Sequence, residues 1–410
     1  MKRCAILFCT LLVGCGAVQI SPLAVKTSNG TLFRADGIAQ NEVLVKLKDG
    51  SSIQGMKIQV KRSIPSLHVM VADVPDGNAS EQYIQALKKD PRVAYAETLQ
   101  QFTLQAPTLK NTRETQGVPD DQMLHLQYYL DSIHAKQAWD ITRGEKSVRV
   151  GVFDGGVCMD HPDLEGQVVA RYDLYPVNDE RSLYEHGMLC AGIIAATANN
   201  GFGISGVAPG CALLDARIYD DSRRTTQEAL AGGIVWATDN GAKVLSIGIC
   251  LPKRANSQLI RDALQYALDK DVVLVASAGN NEQMIDEKSA VCFPANYPGV
   301  IAVAATDKNN HRAYFSNYGS PISVSAPGVG ILTTTKMGKY GGIIGWERED
   351  GTGMASSCVA GVAALIRSKY PKLNREQVRE RIEKTALDIG ATGKDPYYGY
   401  GLVDAAAALK

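Results

Sequence analysis

The chain lacks the features that mark several whole classes of protein. It has no excess of charge: 43 Lys and Arg balance 43 Asp and Glu among 410 residues. Nothing electrostatic therefore favours a nucleic-acid partner, and none is expected. Beyond the first fifteen residues no apolar run reaches the roughly 18 residues that would suggest a bilayer span. No CxxC pair and no Cys/His cluster with zinc-finger spacing occurs, which argues against a zinc site. There is no internal repeat and no low-complexity tract. What is there is ordinary: 45% hydrophobic and 21% charged residues describe a globular protein rather than a disordered one.

The first residues read as an export address. Lys2 and Arg3 form a basic start, and the apolar stretch from Cys4 to Val13 is too short to cross a membrane. The run ends Leu12-Val13-Gly14-Cys15, which resembles a bacterial lipobox. On that reading 1–14 is a lipoprotein signal peptide, and Cys15 carries the lipid that anchors the protein to the cell-envelope membrane. The bland alternative is an ordinary signal peptide with a chance cysteine, and both imply export. Of nine cysteines, Cys158, Cys190, Cys211, Cys250, Cys292 and Cys358 then remain. Six cysteines allow fifteen pairings and the sequence does not choose among them.

Residues 15–40 are polar and aperiodic and read as a tether. From Glu42 the alternation E-V-L-V-K-L-K predicts a strand, Leu67–Val71 predicts a second, and Val93–Ala96 a third. Tyr83, Ile84 and Leu87 share one face of a predicted helix over 79–89. This gives a small α+β unit over 41–103, followed by a polar linker over 104–120. In 121–410 continuous apolar strands alternate with helical patterns. Strands are predicted at Val148–Phe153, Ala212–Ile218, Lys243–Ile249, Val272–Ala276 and Val300–Ala304. Helices are predicted near 186–198, 226–240, 257–270, 354–369 and 375–387. Strands apolar on both faces, separated by helices, predict an α/β fold with a doubly wound parallel sheet. Ligand sites of such sheets lie at the carboxyl ends of the strands.

Three segments fall where that rule places chemistry. Val150-Gly151-Val152-Phe153-Asp154-Gly155-Gly156 runs from a strand into an acid and a glycine turn. His186-Gly187-Met188-Leu189-Cys190-Ala191-Gly192 and Gly351-Thr352-Gly353-Met354-Ala355 each open an apolar helix. With His161-Pro162-Asp163-Leu164, Gly206-Val207-Ala208-Pro209, Ser277-Ala278-Gly279-Asn280 and Gly399-Tyr400-Gly401-Leu402-Val403-Asp404, in this order, the chain resembles the subtilisin-like serine proteases (subtilases). Residues 41–103 resemble the family's inhibitory propeptide.

The resemblance implies a role for each position. Asp154 would orient His186, the general base and then acid, and Asn280 would donate to the oxyanion. The nucleophilic Ser belongs third in the motif G-T-S-M-A, where this chain has Gly353. Gly155, Gly248-Ile249-Cys250 and Ser357 also depart from the family's residues. Ser356, Ser357 and Cys358 lie one helical turn on, too far by spacing to replace a hydroxyl at the third position. The reading is a catalytically impaired subtilase that binds a peptide or protein partner, its own propeptide included. The alternative is an active serine endopeptidase, if a neighbour substitutes or Gly353 is not the native residue. Asn199–Gly206 resembles the family's calcium loop. It would supply the Asn200 amide oxygen and the Phe202 and Ile204 carbonyls, with the Asp163 carboxylate. No organic cofactor is implied.

Overall fold

The structure is a computed structural model that describes residues 25–26, 32–33, 37–75, 78–104, 121, 123–175, 186–220, 222–251, 257–280, 291–335 and 345–410. The signal segment with Cys15, and the linker from 105 to 120, lie outside the described residues.

The first unit is built around the alternating strand. Two short strands, β1 (Val25–Lys26) and β2 (Leu32–Phe33), lead into β3 (Ile38–Leu47). Then come β4 (Val60–Ile64), β5 (Val69–Asp73), helix α1 (Ser80–Leu87) and β6 (Val93–Thr103). The sheet is antiparallel, with β3 paired to both β5 and β6. Period-two alternation divides its contacts. Val43, Val45 and Leu47 pack with Tyr83, Ile84 and Leu87 of α1, while Leu44 faces the other way. The tether expectation needs correcting at its far end, because β1, β2 and the start of β3 fall within 15–40. Such strands are held by main-chain pairing at a sheet edge, which needs no side-chain periodicity. β4 was equally invisible, since V-K-R-S-I does not alternate.

The second unit opens with the short helices α2 (Tyr128–Ser132) and α3 (Ala135–Ala138). Strands β7 (Arg149–Asp154) and β8 (Val168–Asp173) precede helix α4 (His186–Ala195). There follow β9 (Ala212–Arg217), β10 (Arg224–Thr226), α5 (Gln227–Asp239), β11 (Ala242–Ile247), α6 (Gln258–Asp269), β12 (Val273–Ser277), β13 (Val300–Thr306) and β14 (Ile322–Pro327). A hairpin, β15 (Ile331–Thr335) and β16 (Gly345–Glu349), leads to α7 (Thr352–Lys369), α8 (Arg375–Lys384) and α9 (Ala405–Ala408). Seven strands form one sheet in the order β14-β13-β12-β11-β7-β9-β8, and every neighbouring pair is parallel. The doubly wound α/β fold is thus present.

Alternation again splits the core. Val150, Val152, Val244, Val275 and Val303 pack on the face that holds α4 and α7. Phe153, Leu245, Ile247, Leu274 and Ala302 pack on the face that holds α5 and α6. Helix α8 is closed by a capping box between Asn374 and Gln377. β8 and β14 were missed, because β8 is a half-buried edge strand and β14 interleaves serines with its apolar residues. The strand order reverses at β7, which has β11 on one side and β9 on the other. A crevice is expected at the carboxyl ends of β7 and β11.

The two units meet along β6. Its far end pairs antiparallel with β10, Thr103 opposite Arg224 and Gln101 opposite Thr226. Leu104 N then donates to Arg223 O at 2.9 Å. Phe102 and Leu104 are buried in the same cluster as Leu230 and Ile234 of α5. Charges frame this seam: Arg62 bonds Glu228 at 2.7 Å and Lys46 bonds Asp262 at 2.5 Å. Glu97 sits where α6 begins, and burial pushes its carboxyl pKa above the usual value although the main-chain N–H groups of Leu259 and Gln258 favour the charged form.

Candidate active site

Asp154 is the last residue of β7 and is fully buried. Its Oδ2 lies 2.6 Å from His186 Nδ1, so that nitrogen donates to the carboxylate. Oδ1 accepts from Gly155 N at 2.8 Å and from the Tyr219 hydroxyl. Gly155 offers no side-chain hydroxyl, and Tyr219 supplies one from just past the end of neighbouring β9. Sequence reasoning missed Tyr219. The only signal for it was a tyrosine just past the carboxyl end of a predicted strand.

His186 opens α4. The close approach behind it requires glycine at 187, because a Cβ there would stand 2.3 Å from Gly156 O. Burial works against the imidazolium. The charge of Asp154, with Cys190 beyond it, more than offsets that and holds the His186 pKa well above its usual value. Cys190 lies one turn on, its Sγ 3.8 Å from His186 Nδ1. Ligand atoms of Asp154, His186 and Cys190 all lie within 4.8 Å of one another. Of the described residues they are the one set of three or more His, Cys, Asp or Glu grouped closely enough to hold a metal ion.

The oxyanion side is also assembled. Asn280 Oδ1 accepts from Thr352 N at 3.0 Å and Thr352 Oγ1 at 2.7 Å. Thr352 Oγ1 in turn accepts from Gly279 N at 3.1 Å. These bonds fix the amide, leaving Nδ2 3.5 Å from where a Cβ on Gly351 would be.

Gly353 stands in the first turn of α7. A Cβ on it would lie 3.3 Å from His186 Nε2 and 3.2 Å from Gly248 O. The structure therefore brings Asp154, His186, Asn280 and Gly353 to one corner. Nearby hydroxyls point elsewhere. Ser356 Oγ and Ser357 Oγ each donate to Gly353 O at 2.9 Å, and the Thr352 hydroxyl is bound to Asn280. The Cys358 thiol is buried and faces Pro327 O, and burial pushes its pKa well above the usual thiol range.

Two further sets of residues are resolved. Cys250 and Cys292 form a disulfide, while Cys158, Cys190, Cys211 and Cys358 are buried thiols. The bridge abuts the oxyanion turn: a Cβ on Gly279 would meet the two sulfurs at 3.0 and 3.2 Å. Asp163, Asn200, Phe202 and Ile204 also converge. Asp163 Oδ1 accepts from Asn200 Nδ2 at 2.9 Å and Oδ2 from Ile204 N at 3.0 Å. Phe202 N donates to Asn200 Oδ1 at 3.0 Å. Asp163 is fully buried, and both its oxygens and Asn200 Oδ1 accept from N–H groups, so holding calcium here would require the Asn200 amide to turn its oxygen inward.

Residues 145–401 match the subtilase family, and residues 37–98 match the fervidolysin N-terminal prodomain. The chain is 36% identical over 330 residues to the thermophilic serine proteinase of Bacillus sp. (strain AK1), covering 80% of this chain and 76% of that protein. It is 39% identical over 286 residues to thermitase of Thermoactinomyces vulgaris, covering 69% and 96%. A solved structure of fervidolysin from Fervidobacterium pennivorans, a keratinolytic enzyme related to subtilisin, aligns with a TM-score of 0.74 at 30% identity over 93% of this chain. The chain spans 63% of that solved chain.

Proposed function

Because this chain belongs to the subtilase family, we propose that it is a pseudoprotease: it keeps the base and the oxyanion donors, lacks the nucleophile, and binds peptides without cutting them. The observation that carries this reading is Gly353, which places only a hydrogen beside His186 Nε2. A base can take a proton only from a nucleophile that is present. The nearby Ser356 and Ser357 hydroxyls are committed to Gly353 O. The competing reading is an active serine endopeptidase, favoured by the intact Asp154–His186 bond and by relatives named as proteinases. A fluorophosphonate probe separates the two. The purified wild-type protein is expected to stay unlabelled and to leave casein intact, and labelling at any residue of α7 would overturn the pseudoprotease reading.

Export with a lipid on Cys15 and a calcium ion on Asp163 and Asn200 complete the proposal. Among the described residues no helix is long and apolar enough to cross a membrane. What supports the lipid is the basic start and the short apolar run ending in Gly14-Cys15. An alkyne palmitate should mark the wild type and not Cys15→Ser. Chelator should lower the melting temperature of the wild type, since an ion that binds only the native state stabilises it by mass action. Asp163→Ala should lose that response. When bound, calcium would neutralise the Asp163 carboxylate and tie the loop of 199–204 to the turn after β7.

A further inference from the structure

The turn after β7 follows directly on Asp154, and charged side chains from the neighbouring strands hold it. β9 lies between β7 and β8, and its alternation puts Asp215 and Arg217 on the side of Leu213, the face that α4 covers. Arg217 Nε donates to Gly155 O at 3.1 Å. Asp215 Oδ2 accepts from Val157 N at 3.1 Å and from Arg171 Nε at 2.7 Å, and Arg171 Nη2 donates to Val157 O. Both main-chain groups of Val157 are thus bound to one ion pair. The same turn bears on the start of α4. Cys158 N donates to Met188 Sδ at 3.1 Å, and a Cβ on Gly187 would stand 2.3 Å from Gly156 O.

Asp215 is fully buried, and its Oδ1 has no hydrogen-bond partner among the described residues. A buried carboxylate with one oxygen unpaired favours its protonated form, because the proton removes a charge that water no longer solvates. The charged groups around it are Arg171 and Asp173 from β8, Arg217 from its own strand and Asp154 from β7. On α4 the titratable groups are His186 and Cys190, and Cys158 lies in the turn itself. Arg217 pairs with Asp173 at 3.8 Å, so Arg171 is the cation bonded to Asp215. Burial pushes the Asp215 carboxyl up to about 6, with the Arg171 charge working against the rise and the Asp154 charge adding to it.

We propose that Asp215, with Arg171, is a positioning residue for Asp154 and His186 that acts through this turn, and that its proton decides how firmly the turn is closed. Closing the turn buries the carboxyl, and opening it returns Asp215 to water, where its pKa is about 3.9. Opening therefore releases a proton wherever the closed form still holds one. The closed turn is favoured most below about pH 4 and loses that advantage as pH rises through about 6, with no further change above. At neutral pH its hydrogen bonds hold the turn against a standing desolvation cost. Acid removes that cost and locks Asp154 and the start of α4 in place. The inference needs no nucleophile at 353 and stands apart from the pseudoprotease reading.

The test is hydrogen exchange of the full-length protein from pH 4 to 8, each rate divided by that of an unstructured amide. Exchange at Val157 and Cys158 is expected to rise about a hundred-fold between pH 4 and 6 and then level off, the ratio set by carboxyl pKa values of about 6 and 3.9. Asp215→Asn should give a flat profile over the same range. Arg171→Gln should move the levelling point above pH 6, because it removes the charge that holds the carboxyl down. That shift decides the matter if Asp215→Asn fails to fold. The Cε1 signal of His186, identified by its loss in His186→Gln, reads the positioning. It should show an inflection near pH 6 besides the imidazole's own at higher pH, and Asp215→Asn should abolish the first and keep the second. A flat wild-type exchange profile, a step that survives Asp215→Asn, or a turn that responds while His186 does not, overturns the proposal.

Discussion

The two faces of the seven-stranded sheet are closed by different means. On one face α4 and α7 pack an apolar cluster drawn from the second unit alone, and α7 is buried from Thr352 to Arg367. On the other face the cluster under α5 and α6 extends into the first unit, taking in Leu44, Leu99, Phe102 and Leu104. Beyond it stand ion pairs and one strand pairing. The first face builds the site, because His186 opens α4 and Gly353 opens α7. The second face holds the prodomain. Site geometry is thus interior packing of one unit, while prodomain attachment is an interface that salt, mutation or a protease can open. On the pseudoprotease reading, glycine at 353 leaves the site on the first face without the nucleophile that a cut between the two units would need.

The change with the largest expected effect restores it. In Gly353→Ser the new Cβ would lie 3.3 Å from His186 Nε2, which the imidazole must accommodate by a few tenths of an ångström. The hydroxyl would then be within reach of the base. Removing the serine of subtilisin costs on the order of a million-fold in turnover. A gain of several orders of magnitude in casein cleavage is expected, with fluorophosphonate labelling and a mass change from cutting within 105–120. A Ser variant as inert as the wild type would mean that Gly155 or Gly248 also disables the site.

The site face was far more legible in the sequence than the seam. Asp154 ends a strand and His186 opens a helix that apolar periodicity marks directly, whereas Asn280 and the departure at Gly353 stand out only against the family's motifs. The strands and helices of the parallel sheet were readable because burial on both sides writes continuous apolar runs. Tyr219 was not readable, since its bond to Asp154 depends on which strands are neighbours, and strand order is not written in periodicity. The Cys250–Cys292 pairing was hidden for the same reason. Arg62 and Glu228 are 166 residues apart, and a charged residue in a sequence carries no mark of its partner.

Next in size are changes that open the seam. Phe102 is 2% exposed and is contributed by the strand that reaches across to β10. Phe102→Ala is expected to cost about 3–5 kcal/mol, the loss typical of a buried phenylalanine. The readout is hydrogen exchange in β6, which should accelerate while α4 and α7 stay protected. Glu228→Gln should act in the same place but less. Burial opposes the Arg62 charge, yet Glu228 and Glu42 hold its guanidinium above the ordinary range. Because the Arg62 side chain is 22% exposed, a cost of roughly 2 kcal/mol after solvent screening is expected. Salt sharpens the contrast: 1 M NaCl, with a screening length of about 3 Å, should reduce the Glu228→Gln effect and leave Phe102→Ala unchanged.

The smallest expected effect belongs to the site face and runs on pH rather than salt. Burial lowers the His186 pKa, but Asp154 raises it further, and the net is well above the unfolded value of about 6.5. The folded protein therefore holds the proton more tightly than the unfolded chain. The stability this contributes is complete below about pH 6.5 and is lost as pH rises through the raised pKa. Melting temperatures of wild type and His186→Gln isolate the group, because all other titrations cancel in the difference. That difference should be a few degrees in favour of wild type at pH 6 and should shrink steadily in alkaline buffer. Glu228→Gln, compared with wild type over the same alkaline range, should show no such trend, since neither partner in that pair titrates there. A His186→Gln difference that stays flat from pH 6 upward would mean that Asp154 does not hold the imidazole in its charged form.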